Sequence, residues 1–576
     1  MQPSSRTILR WFVLAVLMVL IGPFGCAVER QVPTASPPQK LVPHTRAEPP
    51  LGSTSGLVLD VSRVIADITV LADDRFAGRH TLTQGAKEAA RYIADQHEAA
   101  GLVPVESGFL SEFPLVTGAT LSSPASLIVR QRAPRGGVTF TREIACPTST
   151  FVPLWPSGSG SSVGSVVFVG YATIGRSYDD LAGVDVKGKI ALVLLDAPGV
   201  GDTARQAALP FARLSTRSKL ERLVEAGAIA IIVVRGPRSF VDTAARKADA
   251  LPKLEDAGVG LGKALHIPVV QMRWKQAEKL FRVGGASLSS VQEHIDTELR
   301  PRSGVVDNVS EVVVTTAIHH TTTSVPNVLA KIPGGELAHE LVVLGAHYDH
   351  IGVAGQTGHS CPKAGEAEHT DDLICNGADD NASGTAMVLE IARAWQRSNT
   401  RPKRTIVFAH FTAEELGLHG SRWVASSATF AHSHVVAMIN LDMVGRLGPR
   451  GLAIGGVATS PTWMPLLDRV GPHGLEIIYE RAIASRSDHA SFYQHDIPVL
   501  FFFTHTHVDY HRVSDHVDKL NRDGMKQIAE LVASVMIELG QGQTVPFAPA
   551  RPGEGLTDAL PGVNSSTIEK HVGKTH

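Results

Sequence analysis

The chain has 576 residues, of which 43% are hydrophobic and 19% charged. That length exceeds what one hydrophobic core supports, so at least two domains are expected, and the composition is that of a globular protein, neither disordered throughout nor a bundle of membrane spans. Lysine and arginine total 54 against 56 aspartates and glutamates, a balance that gives no electrostatic basis for nucleic acid as a partner.

Arg6 and Arg10 precede an apolar run from Trp11 to Ile21. The run is too short to cross a bilayer comfortably and has the pattern of a secretory signal peptide, assigned to residues 1–26. Two processing outcomes compete at its end. Gly25-Cys26 fits a lipoprotein signal with Cys26 as the lipidated residue, although Pro23 and Phe24 are larger than the residues usual there. Gly25-Cys26-Ala27 also fits ordinary cleavage after Ala27. The Pro-rich tether over residues 27–56 favours the lipid anchor. Either way the mature protein is expected outside the cytoplasm, at the membrane through that anchor or secreted. Cys361 and Cys375 are then a disulfide candidate, which would close a loop of about 15 residues and contribute ~3 kcal/mol, leaving Cys146 a buried thiol.

Residues 57–160 open the folded part. Val61, Val64, Ile65, Ile68 and Leu71 recur at helical spacing, and a second helix is predicted from about Gln84 to Ala100, with Gly101 in the C-capping position. Asp73 to Arg79 forms a polar turn between them, and strand-like segments run from Gly108 to Phe151. Gly160-Ser161-Ser162-Val163-Gly164 matches the serine-hydrolase elbow formally, but a strand-like run follows it where a helix is required, so no serine nucleophile is assigned. Residues 161–303 alternate strands and helices with no cluster of ligands, and read as an inserted structural or recognition domain. Residues 304–542 carry buried-strand runs at 340–346, 404–411, 435–441 and 497–503, separated by helices that include 382–397 and about 523–539. The pattern predicts a mixed α/β fold with a largely parallel central sheet flanked by helices. Residues 543–576 are Pro/Gly-rich and polar, and are expected to be a disordered tail.

Histidines and carboxylates recur just after each of the four strands: His347-Tyr348-Asp349-His350, Glu414-Glu415, Asp442, and the stretch Thr504 to His511. Ligands bind at the carboxyl ends of strands in such sheets, so the recurrence brings distant residues to one rim. With Asp379, the set His347, Glu415, Asp442 and His511 gives two metal ions two terminal ligands each and one bridging carboxylate. Zinc takes nitrogen and carboxylate oxygen and leaves a position for water, while manganese and cobalt remain compatible. Of the adjacent Glu414 and Glu415, one is placed to coordinate and the other to act as general base. Asp349 is placed to accept the other imidazole N–H of His347 and fix its tautomer.

Taken together, His347 to Gly352, Gly377 to Gly384, Thr412 to Gly417, Asn440 to Met443 and Asp509-Tyr510-His511 resemble the co-catalytic di-zinc aminopeptidases, a family that includes glutamate carboxypeptidase II and the transferrin receptor ectodomain. Gly170-Tyr171 through Lys189 resembles the protease-associated domain often inserted in them. The resemblance covers about residues 57–540. It implies a zinc-peptidase fold in which Asp379 bridges both ions, His347 and Asp442 complete one, and Glu415 and His511 the other. It further implies Glu414 as base, Asp349 as support to His347, a cis peptide before Asp380, and Ser487-Asp488-His489 on the substrate side. The expected activity is removal of N-terminal residues from peptides by two zinc ions and a water activated by Glu414. A carboxypeptidase or dipeptidase on the same core, and a non-catalytic receptor, are the alternatives. The insert from Ala354 to Asn376, with its two cysteines, is expected to overhang the site and influence specificity.

Overall fold

The computed structural model describes residues 56–549, apart from 136–137, 176–177, 200–215, 241–242, 255–263, 357, 363–370, 399, 432–433, 482 and 485, together with 556–557. The expected signal peptide, Cys26, the tether through residue 55 and most of the tail therefore lie outside the described residues. Among the described residues, no helix is long and apolar enough to cross a membrane.

The main sheet has nine strands. In chain order they are β1 (Val103–Pro104), β2 (Leu110–Leu121), β3 (Ile318–Ile332), β4 (Leu337–His347), β5 (Arg404–Phe411), β6 (His434–Leu441), β7 (Leu452–Gly455), β8 (Ile477–Tyr479) and β9 (Val499–Phe503). Their order across the sheet is β1-β3-β5-β4-β6-β9-β7-β8, with β2 also paired to β3. The four predicted strand runs are β4, β5, β6 and β9, and every pairing among them is parallel. The flanking pairs β3–β5 and β7–β9 are antiparallel. Parallel strands are covered on both faces, which is why these four read as unbroken apolar runs.

Side-chain alternation distributes each run between two cores. Val342, Leu344 and Ala346 of β4, Ile406 and Phe408 of β5, and Leu500 and Phe502 of β9 share one core. Its other wall is made by helices α1 (Val61–Leu71), α2 (Gln84–Ala99), α3 (Gly384–Arg397) and α4 (Arg522–Gly540). Leu341 and Val343, Val407 and Ala409, and Val499 point the other way, against Val424, Phe430 and Phe492. Asp60 caps α1 by accepting the Ser62 N–H, and Thr83 caps α2 by accepting that of Ala86.

Residues 151–305 form a separate six-stranded sheet. Val166–Phe168, Ile190–Leu194, Ala230–Val234 and Val269–Met272 run parallel in it. Its edge strands, Phe151–Pro153 and Gly304–Val305, lie just outside the span 161–303 expected for an insertion. Gly160–Gly164 is itself a strand, antiparallel to Val309–Thr316, so it makes no strand-turn-helix elbow.

Two buried polar features tie the N-terminal helices to the sheet. The Arg79 guanidinium donates from Nε to the Tyr348 carbonyl (2.8 Å), from Nη1 to Leu71 and Asn376 (both 2.6 Å), and from Nη2 to Gly377 (2.8 Å). It thereby clamps the segments that follow His347 and precede Asp379. Nearby, His97 of α2 and His410 of β5 face each other, both buried, with their Nε2 atoms 2.8 Å apart. One donates and the other accepts, an arrangement that two neutral imidazoles can make and two charged ones cannot. Burial lowers His97 to about 3 with Arg393 adding to the effect, and burial with His97 and Arg393 alongside takes His410 well below its usual value. The unfolded chain takes up protons near pH 6.5 and the folded pair does not, so stability falls as pH drops below that point, by at most ~1.4 kcal/mol per pH unit for each group. A His97→Leu/His410→Leu variant should lose less Tm than wild type between about pH 7 and pH 4.5 in scanning calorimetry; equal losses would remove the pair as the cause.

Candidate metal centre

The parallel strands deliver the site. His347 is the last residue of β4, and Glu414 and Glu415 lie on the turn after β5. Asp442 directly follows β6, and His511 is eight residues beyond the end of β9. Between β4 and α3 the chain passes through Ala378–Ser383, where Asp380 and Asn381 leave helical geometry. Gly377 enters this segment at a φ of 59°, a left-handed conformation that suits glycine, and an added Cβ would meet the Asp380 carbonyl oxygen at 2.2 Å.

Two groups of ligand-type atoms share one carboxylate. In one group, His347 Nε2 is 3.5 Å from Asp380 Oδ1 and 3.4 Å from Asp442 Oδ1. In the other, His511 Nε2 is 3.1 Å from Asp380 Oδ2 and 3.2 Å from Glu415 Oε2, and His350 Nδ1 is 2.8 Å from Glu415 Oε1. Asp380 thus turns one oxygen to each group. The structure brings together His347, Glu415, Asp442 and His511 as expected, but it does not bring Asp379 with them.

Asp379 points elsewhere. Its Oδ1 accepts the Gly445 N–H at 2.6 Å, and its Oδ2 is 3.2 Å from His507 Nε2. The position between the two histidine groups belongs to Asp380, and the cis peptide lies after it, at Asp380–Asn381, not before it. The physical reason is the anchoring of this segment. Asp515 accepts the N–H groups of both Asp379 and Asp380 through one oxygen, at 2.9 and 3.1 Å. With both amides tied to one side, the two neighbouring side chains diverge, Asp379 to the 445 loop and Asp380 to the centre. An Asp-Asp doublet does not reveal which member faces inward, and nothing in its sequence marks Asp515 or Arg79 as the partners that decide it. His350 was visible as a histidine beside the motif, without an assigned role.

Asp349 also acts differently from expectation. His347 Nδ1 lies 3.1 Å from the Asp349 main-chain oxygen and 3.8 Å from its carboxylate. The carboxylate instead accepts the N–H groups of Glu414 (3.1 Å) and Glu415 (3.4 Å) and the hydroxyl of Thr81 (2.9 Å). The chain leaves strand geometry after His347, so the side chain is free to turn toward the neighbouring strand's exit. Asp349 fixes the tautomer side of His347 through its backbone and the two glutamates through its side chain.

The Ser487-Asp488-His489 motif divides its labour. Ser487 donates to Asp442 Oδ2 at 2.7 Å and accepts from Asn440 Nδ2 at 2.7 Å. Asp488 is fully buried and its carboxyl is raised to about 7, chiefly by that burial. His489 stacks on Phe501 with ring centroids 4.3 Å apart. Cys361 and Cys375 form a disulfide that packs with Ile351, Ala354 and Val513, on the loops carrying His350 and His511. Among the described residues, none of the insert 354–376 lines the central cleft, whose further walls are Met443, Arg486, Phe503 and Tyr510. The described part of the insert braces the site from outside. It does not roof it.

The electrostatics separate the two adjacent glutamates. Burial raises the Glu414 carboxyl well above the ordinary range, with Glu415, Asp488 and Asp442 adding to the effect against His347. Burial acts on Glu415 too, but His511 and His350 hold it well below that range. Glu414 Oε2 stands 3.9 Å from His347 Nε2, on the same wall but in neither ligand group. Four carboxylates therefore crowd one buried site, and Asp442 Oδ1 is buried without a hydrogen-bond partner. Buried charge of this density is compensated by cations, and mixed imidazole and carboxylate donors fit zinc.

Residues 327–536 match the model of peptidase family M28. Over 227 residues the chain is 27% identical to a probable aminopeptidase of Saccharomyces cerevisiae, covering 37% of this chain and 57% of that one. Over 236 residues it is 28% identical to a probable leucine aminopeptidase of Trichophyton verrucosum, covering 38% and 58%. The chain spans just over half the length of these two curated relatives. Among solved structures, a zinc aminopeptidase from Bacillus subtilis aligns over 86% of this chain and 98% of its own, at 19% identity and a TM-score of 0.42. The matched span covers all of the site's ligand-type residues, and over that span the chain is similar to peptidase family M28, with its motifs in the order expected of the co-catalytic zinc aminopeptidases they resemble.

Proposed function

We propose that the chain is a zinc aminopeptidase that uses two zinc ions to hydrolyse the N-terminal peptide bond of its substrates. The observation that carries this reading is the division of Asp380 between two ligand groups, with Glu414 beside them and bound to neither. His347, Asp442 and Asp380 would hold one ion, and His511, Glu415 and Asp380 the other, with His350 alongside Glu415. When bound, the ions would polarise the scissile carbonyl and lower the pKa of water.

The chain's own residues do the rest. Glu414 takes a proton from the attacking water and passes it to the leaving amine nitrogen. Standing 3.9 Å from His347 Nε2 and in neither ligand group, it is free to carry that proton. Asp349 holds the turn that carries both glutamates through their N–H groups, so base and ligand keep a fixed separation. Ser487 directs Asp442. The free α-amine of the substrate would be bound at the metal centre, which favours peptides with an unblocked N-terminus. The Cys361–Cys375 disulfide supports the reading of an exported protein, and a lipid on Cys26 would anchor it.

Three results are expected. Glu414→Gln should keep its zinc by elemental analysis yet lose about 10²–10⁴ in kcat on leucine p-nitroanilide; near wild-type turnover would reject the base assignment. Asp380→Asn should fall well short of the wild-type zinc content, whereas Asp379→Asn should keep most of it, and the reverse order would return the bridge to Asp379. N-acetylated peptides should be cleaved far more slowly than their free counterparts. Equal rates would point to the carboxypeptidase or dipeptidase alternative.

A further inference from the structure

A second cleft, of about 410 Å³, lies between the loop after Asp442 and the loop after β9. Its polar lining includes Arg446, Arg450, His505, His507 and Lys519, and no carboxylate is among the lining residues. The contrast with the acidic metal centre is direct, because the same two loops serve both. Met443 and Phe503 line the first cleft, and Arg446 and Thr504 line the second.

Two nearby acids moderate this charge, the first being Asp379, whose Oδ2 lies 3.2 Å from His507 Nε2. Asp509 Oδ2 is 3.0 Å from Arg446 Nη2, and Asp509 Oδ1 accepts from Lys519 Nζ at 2.7 Å. Asp509 is shared between Arg446 and Lys519, and Arg450 stands in no ion pair among the described residues. Arg450 is exposed and spends one N–H on the Thr506 carbonyl (2.6 Å), and Arg446 Nη1 is buried with no partner among the described residues. Guanidinium groups with unspent donors match carboxylates in both charge and shape. Both loops follow the carboxyl ends of neighbouring parallel strands, so the basic cleft stands on the same rim of the sheet as the metal centre.

We propose that this cleft is a carboxylate-binding subsite for the downstream part of the peptide substrate, so that the enzyme favours short peptides with an acidic side chain or a free C-terminus beyond the scissile bond. This rests on the aminopeptidase reading and adds the substrate class to it. A carboxylate beyond the scissile bond is drawn to the basic cleft, which adds to whatever holds the amine end at the metal centre.

The test compares Leu-Ala-Glu-Glu-amide, Leu-Ala-Gln-Gln-amide and Leu-Ala-Gln-Gln with a free carboxyl end, on the zinc-loaded full chain at low ionic strength. Either carboxylate-bearing peptide should have a KM about 5–20-fold below that of the neutral amide, and the peptide that shows the drop identifies whether side chain or terminus is read. Added salt should erode the difference. Arg450→Glu should abolish it while leaving kcat/KM for leucine p-nitroanilide unchanged. Equal KM values for all three peptides in wild type would overturn the proposal, as would a preference that survives Arg450→Glu. A fluorescent N-acetylated Ala-Glu-Glu probe separates this claim from the one beneath it. Salt-sensitive anisotropy binding, lost in Arg450→Glu, supports the subsite even if leucine p-nitroanilide is not cleaved, and no binding to wild type counts against it.

Discussion

The arrangement of this protein depends on one electrostatic constraint: Asp380, Glu414, Glu415 and Asp442 are brought together in a buried cleft at the ends of parallel strands. Carboxylates packed this closely repel one another, and burial removes the water that would screen them. The fold accepts that cost because β4, β5 and β6 are fixed by two apolar cores, each taking alternate side chains of the same strands. Strand ends in such a sheet cannot move apart without disrupting both cores. The acidic cluster is thus held in place by hydrophobic packing and made tolerable by the imidazoles and cations it recruits.

A layer of polar contacts behind the ligands decides which atoms face inward. Asp515 ties the amides of Asp379 and Asp380, Asp349 ties those of Glu414 and Glu415, and Ser487 turns Asp442. Arg79 secures the two segments between which the insert departs, by bonding only to carbonyl oxygens. The disulfide braces the same region from the other side. None of these groups lines the cleft, yet each holds a residue or segment that does or that lies beside one.

Much of this was legible in the sequence. The apolar runs of β4, β5, β6 and β9 announced a buried parallel core, and the histidines and acids just beyond them located the site. The ligand types, the pairing of Glu414 with Glu415 and the disulfide could be read from residue identity and spacing. The orientation of individual side chains could not. Asp379 and Asp380 differ in which groups surround their side chains, and the anchors that decide it, Gly445 and Asp515, lie more than 60 positions away. Asp349 lies where expected, but its carboxylate accepts from Glu414, Glu415 and Thr81 in place of His347, because the chain leaves extended geometry one residue after His347. The insert was expected over the cleft; its described part packs behind, since its cysteines find apolar partners in Ile351 and Val513.

The proposed function turns on one carboxylate, Asp380, joining two zinc ions. Anomalous diffraction at the zinc edge from crystals of the wild-type protein tests it most directly. The account predicts two peaks on opposite sides of the Asp380 carboxylate, one bounded by His347 and Asp442 and the other by Glu415 and His511. A single peak, or a second peak seated on Asp379, would contradict it.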